Sequence, residues 1–160
     1  MDDVQPPQEE TPSERANRQL IELLNELRIV LPGITVLLGF LLAVPFARGW
    51  TRVTTFQRDV FVVAFLATAV SVALLIAPSS YHRIRFRHGD KERMLTIGNR
   101  LAIAGIAAFA VSLEAVVLLV TDFVVSRGFA IAAAASLLVV VAGLWFALPL
   151  SAALRGRFSR

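Results

Sequence analysis

The sequence predicts an all-α protein, a four-helix transmembrane bundle preceded by an N-terminal amphipathic helix. Of its 160 residues, 56% are hydrophobic and only 18% are charged, whereas about a quarter of the residues are charged in a typical soluble domain. Four stretches carry no Asp, Glu, Lys or Arg except Glu114: residues 29–47, 60–82, 101–121 and 128–154. About 20 apolar residues in a helix cross the ~30 Å hydrocarbon layer of a membrane. Each stretch is therefore long enough to form a span.

The chain before the first span predicts a tail and then a helix. Residues 1–10 are polar, acidic and proline-containing, so we expect them to be disordered. Thr11 can serve as an N-cap, with Pro12 at the first helical position and Glu14 completing a capping box. Leucines then recur along one stripe of an amphipathic helix over residues 11–28: Leu20, Leu24, Leu27 and Leu31. This helix either lies along the membrane surface or pairs with a partner helix, and we expect it to lie flat.

Residues 29–151 are predicted to form the transmembrane domain. Charged residues and helix signals set approximate limits for its spans and for a basic tail: spans at 29–47, 56–77, 101–121 and 129–151, and the tail at 152–160. Thr54 and Gln57 offer a second capping box at the start of the second span. Pro32 is expected to kink the first span and Pro78 to end the second, because proline lacks a backbone donor and clashes with the preceding turn.

The positions of Lys and Arg predict the orientation of the bundle, because loops rich in these residues remain in the cytoplasm. The N-terminal segment, the loop between the second and third spans and the C-terminal tail share one side and hold twelve of the sixteen Lys and Arg residues. The other four lie on the opposite side: Arg48, Arg52, Arg58 and Arg127. We therefore expect a multi-pass protein of the cell (inner or plasma) membrane with both termini in the cytoplasm.

Several segments resemble a bacterial, mainly actinobacterial, family of small four-pass membrane proteins. The resemblance rests on LIELLNELRIVLPG, TTFQRDV, APSSYHRIRFRHGDKER and the pair Asn99-Arg100, and it covers about residues 15–155. The family is classed as a domain of unknown function, and some of its members carry the label of sodium/proton antiporter. The resemblance implies the membrane architecture and defines no functional residue.

Glu114 is the one charged residue within the four stretches that otherwise lack Asp, Glu, Lys and Arg. A charged residue at the centre of a span costs about 2.5–3.5 kcal/mol, and each Leu, Ile, Phe or Val returns about 0.3–0.6 kcal/mol. The third span is apolar enough to insert despite this cost. Ala107, Ala110 and Thr121 share a helical stripe with Glu114, and small residues let another helix approach closely. We therefore expect Glu114 to face protein.

An ionisable residue inside a membrane is a functional candidate by default. Counting residues inward from the span ends places Thr68 and Ser136 at about the depth of Glu114, so we expect their hydroxyls to donate hydrogen bonds to its carboxylate. A glutamate that titrates near neutral pH could carry a proton. The alternative is structural: an ion pair with Arg48 or Arg58, or a protonated carboxyl that joins helices by hydrogen bonds.

The loop after the second span holds the densest charge. Its basic residues greatly outnumber its acids and form a candidate site for anionic lipid headgroups: Arg83, Arg85, Arg87, Lys91 and Arg93. The alternative is that these residues only enforce topology. Nucleic acid is not expected as a partner, because this loop offers too few aromatic residues for base stacking.

Other chemistries are not expected. The chain contains no cysteine, and His82 and His88 do not have metal-ligand spacing. We find no catalytic motif and expect neither an enzyme nor a cofactor. The sequence thus predicts a structural or accessory membrane protein that binds anionic lipid or a partner protein. The alternative is a small oligomeric proton-coupled transporter, for example a cation/proton antiporter, in which facing copies of Glu114 carry protons.

Overall fold

A computed structural model describes residues 11–85 and 91–151, and these residues form helices and no strand. The four main helices and their connections confirm the predicted all-α fold class: α1 (Pro12–Ala43), two 3₁₀ segments (Val44–Phe46 and Arg48–Arg52), α2 (Thr55–Arg85), α3 (Lys91–Val124) and α4 (Arg127–Val141). A π-helical turn, Ala142–Ala147, follows α4, and the helix then continues to Ser151. The predicted N-terminal disorder and the basic tail fall outside the described residues.

Helix α1 begins at the predicted capping box. The backbone N–H of Thr11 donates to Glu14 Oε2 at 2.8 Å, and the backbone N–H of Glu14 donates to Thr11 Oγ1 at 3.4 Å. The helix then runs for 32 residues without a break, about 48 Å of axis. Residues 11–28 therefore do not form a helix of their own, since the first span continues the same helix.

The reason for this continuity is one seam of buried residues along α1. The members recur every seven residues, the spacing that keeps one face of a helix against its neighbours: Leu20, Leu27, Ile34 and Leu41, with 4%, 6%, 2% and 4% of their surface exposed. The seam crosses both the predicted boundary near residue 28 and Pro32, which lies inside the helix. The N-terminal part of α1 thus pairs with helices of the same chain.

Helix α2 begins at the second predicted capping box and extends beyond its predicted end. The N–H of Thr54 donates to Gln57 Oε1 at 3.0 Å, and the N–H of Gln57 donates to Thr54 Oγ1 at 3.3 Å. Pro78 does not end the helix, which continues to Arg85. Packing against α3 explains the difference, because a β-carbon at Gly98 would lie only 3.6 Å from Pro78 Cβ.

The helices pack as a bundle in which α2 and α3 form the most extensive pair, α1 contacts both, and α4 packs on α3. Two apolar clusters form the core. One lies near the end that holds Arg83, Arg93 and Arg100, called here the basic end: Leu27, Ile34, Leu75 and Ala102. The other lies near the end that holds the second 3₁₀ segment and residues 122–127, called here the turn end: Leu41, Phe61, Ala64, Ala115 and Leu119.

The outer surface of the bundle is apolar. Large side chains such as Phe40 (70% exposed) and Val139 (73% exposed) point away from the core. Four segments are long and apolar enough to cross a membrane: Arg18–Phe46, Thr55–Ser80, Arg93–Val124 and Arg127–Ser151. Because a soluble protein rarely exposes so large an apolar surface, the structure indicates a multi-pass membrane protein.

Candidate functional site

A buried polar layer joins α2 and α3 inside the membrane-spanning region. Thr68, Ser71 and Ser112 have no exposed surface. The hydroxyls of Thr68 and Ser112 are 2.5 Å apart, and both lie within hydrogen-bond distance of the carbonyl oxygen of Ala64, at 2.7 and 3.1 Å. Since each hydroxyl has one hydrogen, one of them donates to this carbonyl and the other donates to its neighbouring hydroxyl. Ser71 Oγ donates to the carbonyl oxygen of Gly105 at 2.7 Å. The layer therefore satisfies its own hydrogen bonds, as a polar group in hydrocarbon requires.

Gly105 allows α2 and α3 to approach closely beside this layer. A β-carbon on Gly105 would lie 2.7 Å from Leu75 Cγ and 2.8 Å from Leu75 Cδ2, closer than real side chains pack. Leu75 is fully buried and has little room to move. The absence of a side chain at Gly105 is thus a condition of the α2–α3 contact, as at other close helix pairs in membranes.

Glu114 lies on the opposite side of α3 from this polar layer. It follows Ser112 by two residues, which is about 200° around the helix, and Ser112 faces α2. The side chain of Glu114 is half-buried. Its Oε1 atom is buried and accepts no hydrogen bond from any described residue. The carboxyl thus has one oxygen without the partner that a buried polar atom ordinarily has.

The predicted partners of Glu114 make their hydrogen bonds elsewhere, so the expected network of Glu114 with Thr68 and Ser136 is not present. The hydroxyl of Thr68 is in the layer between α2 and α3. Ser136 is exposed, and its Oγ donates to the carbonyl oxygen of Ala132 in its own helix. Among the described ion pairs, none joins Glu114 to Arg48 or Arg58. Equal depth in the membrane does not bring these side chains to the same side of α3.

The depth of Glu114 follows from its position along α3. Asp122, at the turn end, lies eight residues further on, which is about 12 Å of helix axis. Half of the hydrocarbon layer is about 15 Å thick. If Asp122 marks the boundary of this layer, Glu114 lies near the middle of the membrane.

Asp122 connects three helices at the turn end. Its Oδ1 accepts from Arg127 Nε at 2.5 Å across the short α3–α4 turn. Its Oδ2 accepts from Gln57 Nε2 at 2.8 Å. The Arg127 guanidinium also lies over the Phe56 ring, 3.6 Å from the ring centroid. The N-termini of α2 and α4 are thereby tied to the C-terminus of α3.

Sequence reasoning missed this role of Gln57, although it identified the residue as part of a capping box. The side-chain oxygen of Gln57 accepts from Thr54 while its side-chain nitrogen donates to Asp122. A capping glutamine keeps two donor hydrogens free. In a buried position, with 7% of its surface exposed, those donors need an acceptor, and Asp122 supplies it.

Some of the predicted lipid-binding residues lie at the basic end of the described structure. Arg83 on α2 and Arg93 on α3 are exposed. Arg85 and Lys91 belong to α2 and α3, and Arg87 lies outside the described residues. Within residues 11–85 and 91–151, no group of three or more His, Asp or Glu side chains is arranged to hold a metal ion.

A cleft of about 490 Å³ opens between α1 and α3 at the basic end. Polar side chains from both helices line it: Gln19, Glu22, Glu26, Thr96, Asn99 and Arg100. Glu22 also pairs with Arg18 at 3.5 Å on the same helix. The lining residues are exposed or half-buried, so the cleft is an open groove of mixed charge.

Comparison with known proteins assigns a family. The family described as "Family of unknown function (DUF6328)" matches residues 9–149. No curated protein and no solved structure matches the chain. The match includes α1, α2, α3, α4 and the cleft, polar layer and charged ends built from them. The chain therefore belongs to DUF6328, a family of unknown function.

Proposed function

We propose that this protein is a non-enzymatic membrane protein that binds anionic lipid headgroups at its basic end. Three arginines support the proposal: Arg83, Arg93 and Arg100 are exposed, and none forms an ion pair with an acid in the described part of the chain. Unpaired cations attract the anionic headgroups of a leaflet only where they reach its surface. Whether these arginines can bind headgroups therefore depends on the level of each one in the membrane.

Helix lengths support a position of all three arginines beyond the hydrocarbon layer. The Gln57–Asp122 hydrogen bond sets a common level at the turn end. From that level Arg100 is about 33 Å away along the helix axis, Arg83 about 39 Å and Arg93 about 44 Å. The hydrocarbon layer is about 30 Å thick, and the whole bilayer with its headgroups about 40–45 Å. These arginines thus reach the headgroup layer when Asp122 lies at the opposite boundary.

The same end carries most of the positive charge of the chain, which supports a cytoplasmic location for it. Twelve of the sixteen Lys and Arg residues belong to segments on this side. Basic segments beside spans remain in the cytoplasm during insertion. In a bacterial cell the basic end would then meet the inner leaflet of the inner membrane, where anionic lipid is available.

The lipid-binding proposal predicts a loss of affinity when the arginines lose their charge. Each basic residue near a membrane surface contributes about 1 kcal/mol. The double substitution Arg83→Gln and Arg93→Gln should therefore raise the dissociation constant for phosphatidylglycerol up to about thirtyfold, measured by native mass spectrometry of the detergent-solubilised protein. Arg58→Gln removes an exposed charge at the turn end and should leave this affinity unchanged. Equal affinities of the double variant and the parent would contradict the proposal.

A second candidate function is proton binding at Glu114 within an oligomeric proton-coupled transporter. The observation that favours it is the buried Oε1 atom near the middle of the membrane, which has no hydrogen-bond partner among the described residues. Intramembrane carboxyls without a fixed partner occur along proton pathways. Four spans are few for a monomeric carrier, so this function also requires a homo-oligomer.

The substitution Glu114→Gln separates the proton-binding and structural roles. No ion pair or hydrogen bond to Oε1 is lost, so the free energy of unfolding in lipid should fall by no more than about 0.5 kcal/mol, as for a site without a specific interaction. Proton uptake into liposomes driven by a pH gradient should cease in this variant and persist in Asp59→Asn, which changes an exposed acid at the turn end. A loss of several kcal/mol would assign Glu114 a structural role, and undiminished uptake would exclude it as the carrier.

A further inference from the structure

An apolar cavity lies at the turn end, on the side of the bundle formed by α3 and the chain between α1 and α2. It has a volume of about 210 Å³. Apolar residues of the 3₁₀ segments, their flanks and α3 line it: Val44, Ala47, Gly49, Trp50, Val53, Leu119, Val120 and Phe123. No charged or hydroxyl-bearing side chain contributes to the lining. A cavity of this composition takes an apolar group.

The backbone between α1 and α2 creates this cavity. Helix α1 ends at Ala43, and the chain passes through two 3₁₀ segments separated by the extended residue Ala47 before α2 begins. Gly49 faces α3, since a β-carbon on it would lie 3.5 Å from Phe123 Cζ. That distance is an ordinary van der Waals contact, so a small residue fits there. A longer side chain at this position would occupy the cavity.

The position of the cavity gives it access to lipid. Its lining residues Leu119 and Phe123 flank Asp122, which lies at the turn end of the bundle. Trp50 also belongs to the lining and is half-buried, and tryptophan favours the boundary between hydrocarbon and headgroups. An apolar cavity at this level opens where the acyl chains of phospholipids meet their headgroups.

Two arginines are sequence neighbours of residues that line the cavity. Arg48 precedes the lining residue Gly49, and Arg52 precedes the lining residue Val53. Both side chains are exposed, and neither forms an ion pair with a described acid. Asp122 is occupied by Arg127. These two guanidinium groups therefore have no ion-pair partner among the described residues. A phosphate would supply the counter-charge, since arginine binds phosphate with paired hydrogen bonds.

From these observations we infer that the turn end holds a specific site for one anionic phospholipid. An acyl chain occupies the cavity beside Trp50, and the headgroup phosphate binds Arg48 and Arg52. The charge of the arginines selects an anionic lipid over a zwitterionic one, and the shape of the cavity holds the chain. The site lies at the opposite end from the proposed lipid-binding arginines. When the affinity test of Arg83→Gln with Arg93→Gln is made in a protein that also carries Arg48→Gln and Arg52→Gln, either proposal can fail without the other.

Tryptophan fluorescence provides a local test. The chain has two tryptophans, so Trp145→Phe leaves Trp50 as the only reporter. This parent is reconstituted in phosphatidylcholine bilayers that contain a small mole fraction of a phospholipid with brominated acyl chains, which quench a neighbouring indole. Brominated phosphatidylglycerol should reach half-maximal quenching at a several-fold lower mole fraction than brominated phosphatidylcholine. Equal quenching by the two lipids would overturn the inference.

Variants of the parent separate the two halves of the site. In the double variant Arg48→Gln with Arg52→Gln, brominated phosphatidylglycerol should reach half-maximal quenching at the same mole fraction as brominated phosphatidylcholine. Gly49→Leu should fill the cavity and abolish saturable quenching, whereas Gly39→Leu, at an exposed glycine with no atom within 4 Å of an added β-carbon, should match the parent. If Gly49→Leu or the double arginine variant still preferred phosphatidylglycerol over phosphatidylcholine, the lipid would bind at another site. If Gly49→Leu does not fold, the double variant of the exposed residues Arg48 and Arg52 alone tests the inference.

Discussion

Leucine in place of Gly105 is expected to lower the free energy of unfolding by about 3 kcal/mol, the upper part of the range for added side-chain volume in a packed core. A β-carbon there would already lie 2.7 Å from Leu75 Cγ and 3.3 Å from Leu74 Cβ. Leu75 is fully buried between α1, α2 and α3, so it cannot turn aside. The helices must separate, and separation also breaks the hydrogen bond from Ser71 to the Gly105 carbonyl oxygen.

The measurement is reversible unfolding in lipid bicelles, with Gly39→Leu as the matched control. Gly39 lies in α1, and an added β-carbon there would have no atom within 4 Å. The control therefore adds the same side chain to a helix without a clash and should change stability by less than about 0.5 kcal/mol, as surface substitutions generally do. A similar effect of both substitutions would show that α2 and α3 do not approach closely at Gly105.

Local rules predicted those parts of the fold that depend on short spacings. Thr11 with Glu14 and Thr54 with Gln57 are capping boxes in the sequence and in the structure, because a cap involves residues only three apart. The four candidate spans could be predicted because their length and apolar composition are properties of the sequence itself. The end of α2 could not, since contacts between helices outweigh the local effect of Pro78. The continuity of α1 across residue 28 could not either, because it depends on contacts with other helices.

The surroundings of Glu114 show which part of a site sequence counting can find. Counting residues from the span ends predicts depth, and by that measure Thr68 is near Glu114. It does not predict on which side of a helix a partner lies, and Thr68 packs against the face of α3 that carries Ser112. The true pair could be found only once Gln57 and Asp122 were known to meet, because Thr68 follows Gln57 by 11 residues and Ser112 precedes Asp122 by 10. The Gln57–Asp122 bond then places their hydroxyls at one level.

Alanine in place of Asp122 is expected to lower the free energy of unfolding by about 3 kcal/mol. The Asp122 side chain is only 4% exposed and accepts hydrogen bonds from Gln57 and Arg127. Arg127 is 48% exposed, so water can solvate its freed charge and the ion pair alone contributes less than about 1 kcal/mol. The larger effect comes from Gln57, whose buried amide loses its acceptor at a cost of about 1–3 kcal/mol.

Two further variants, measured with Asp122→Ala by unfolding in bicelles, assign the loss to its cause. Asp122→Asn removes the charge but keeps an oxygen that can accept from Gln57 Nε2, so it should lose only about 1 kcal/mol. Asp59→Asn neutralises an exposed acid of α2 at the same end and should change stability by less than about 0.5 kcal/mol. If Asp122→Asn were as destabilising as Asp122→Ala, the charge on Asp122 would hold α3 to α4, and the hydrogen bond to Gln57 would be secondary. If the loss of stability in Asp122→Asn lies between those in Asp59→Asn and Asp122→Ala, the buried amide of Gln57 is the main connection between α2 and α3 at the turn end.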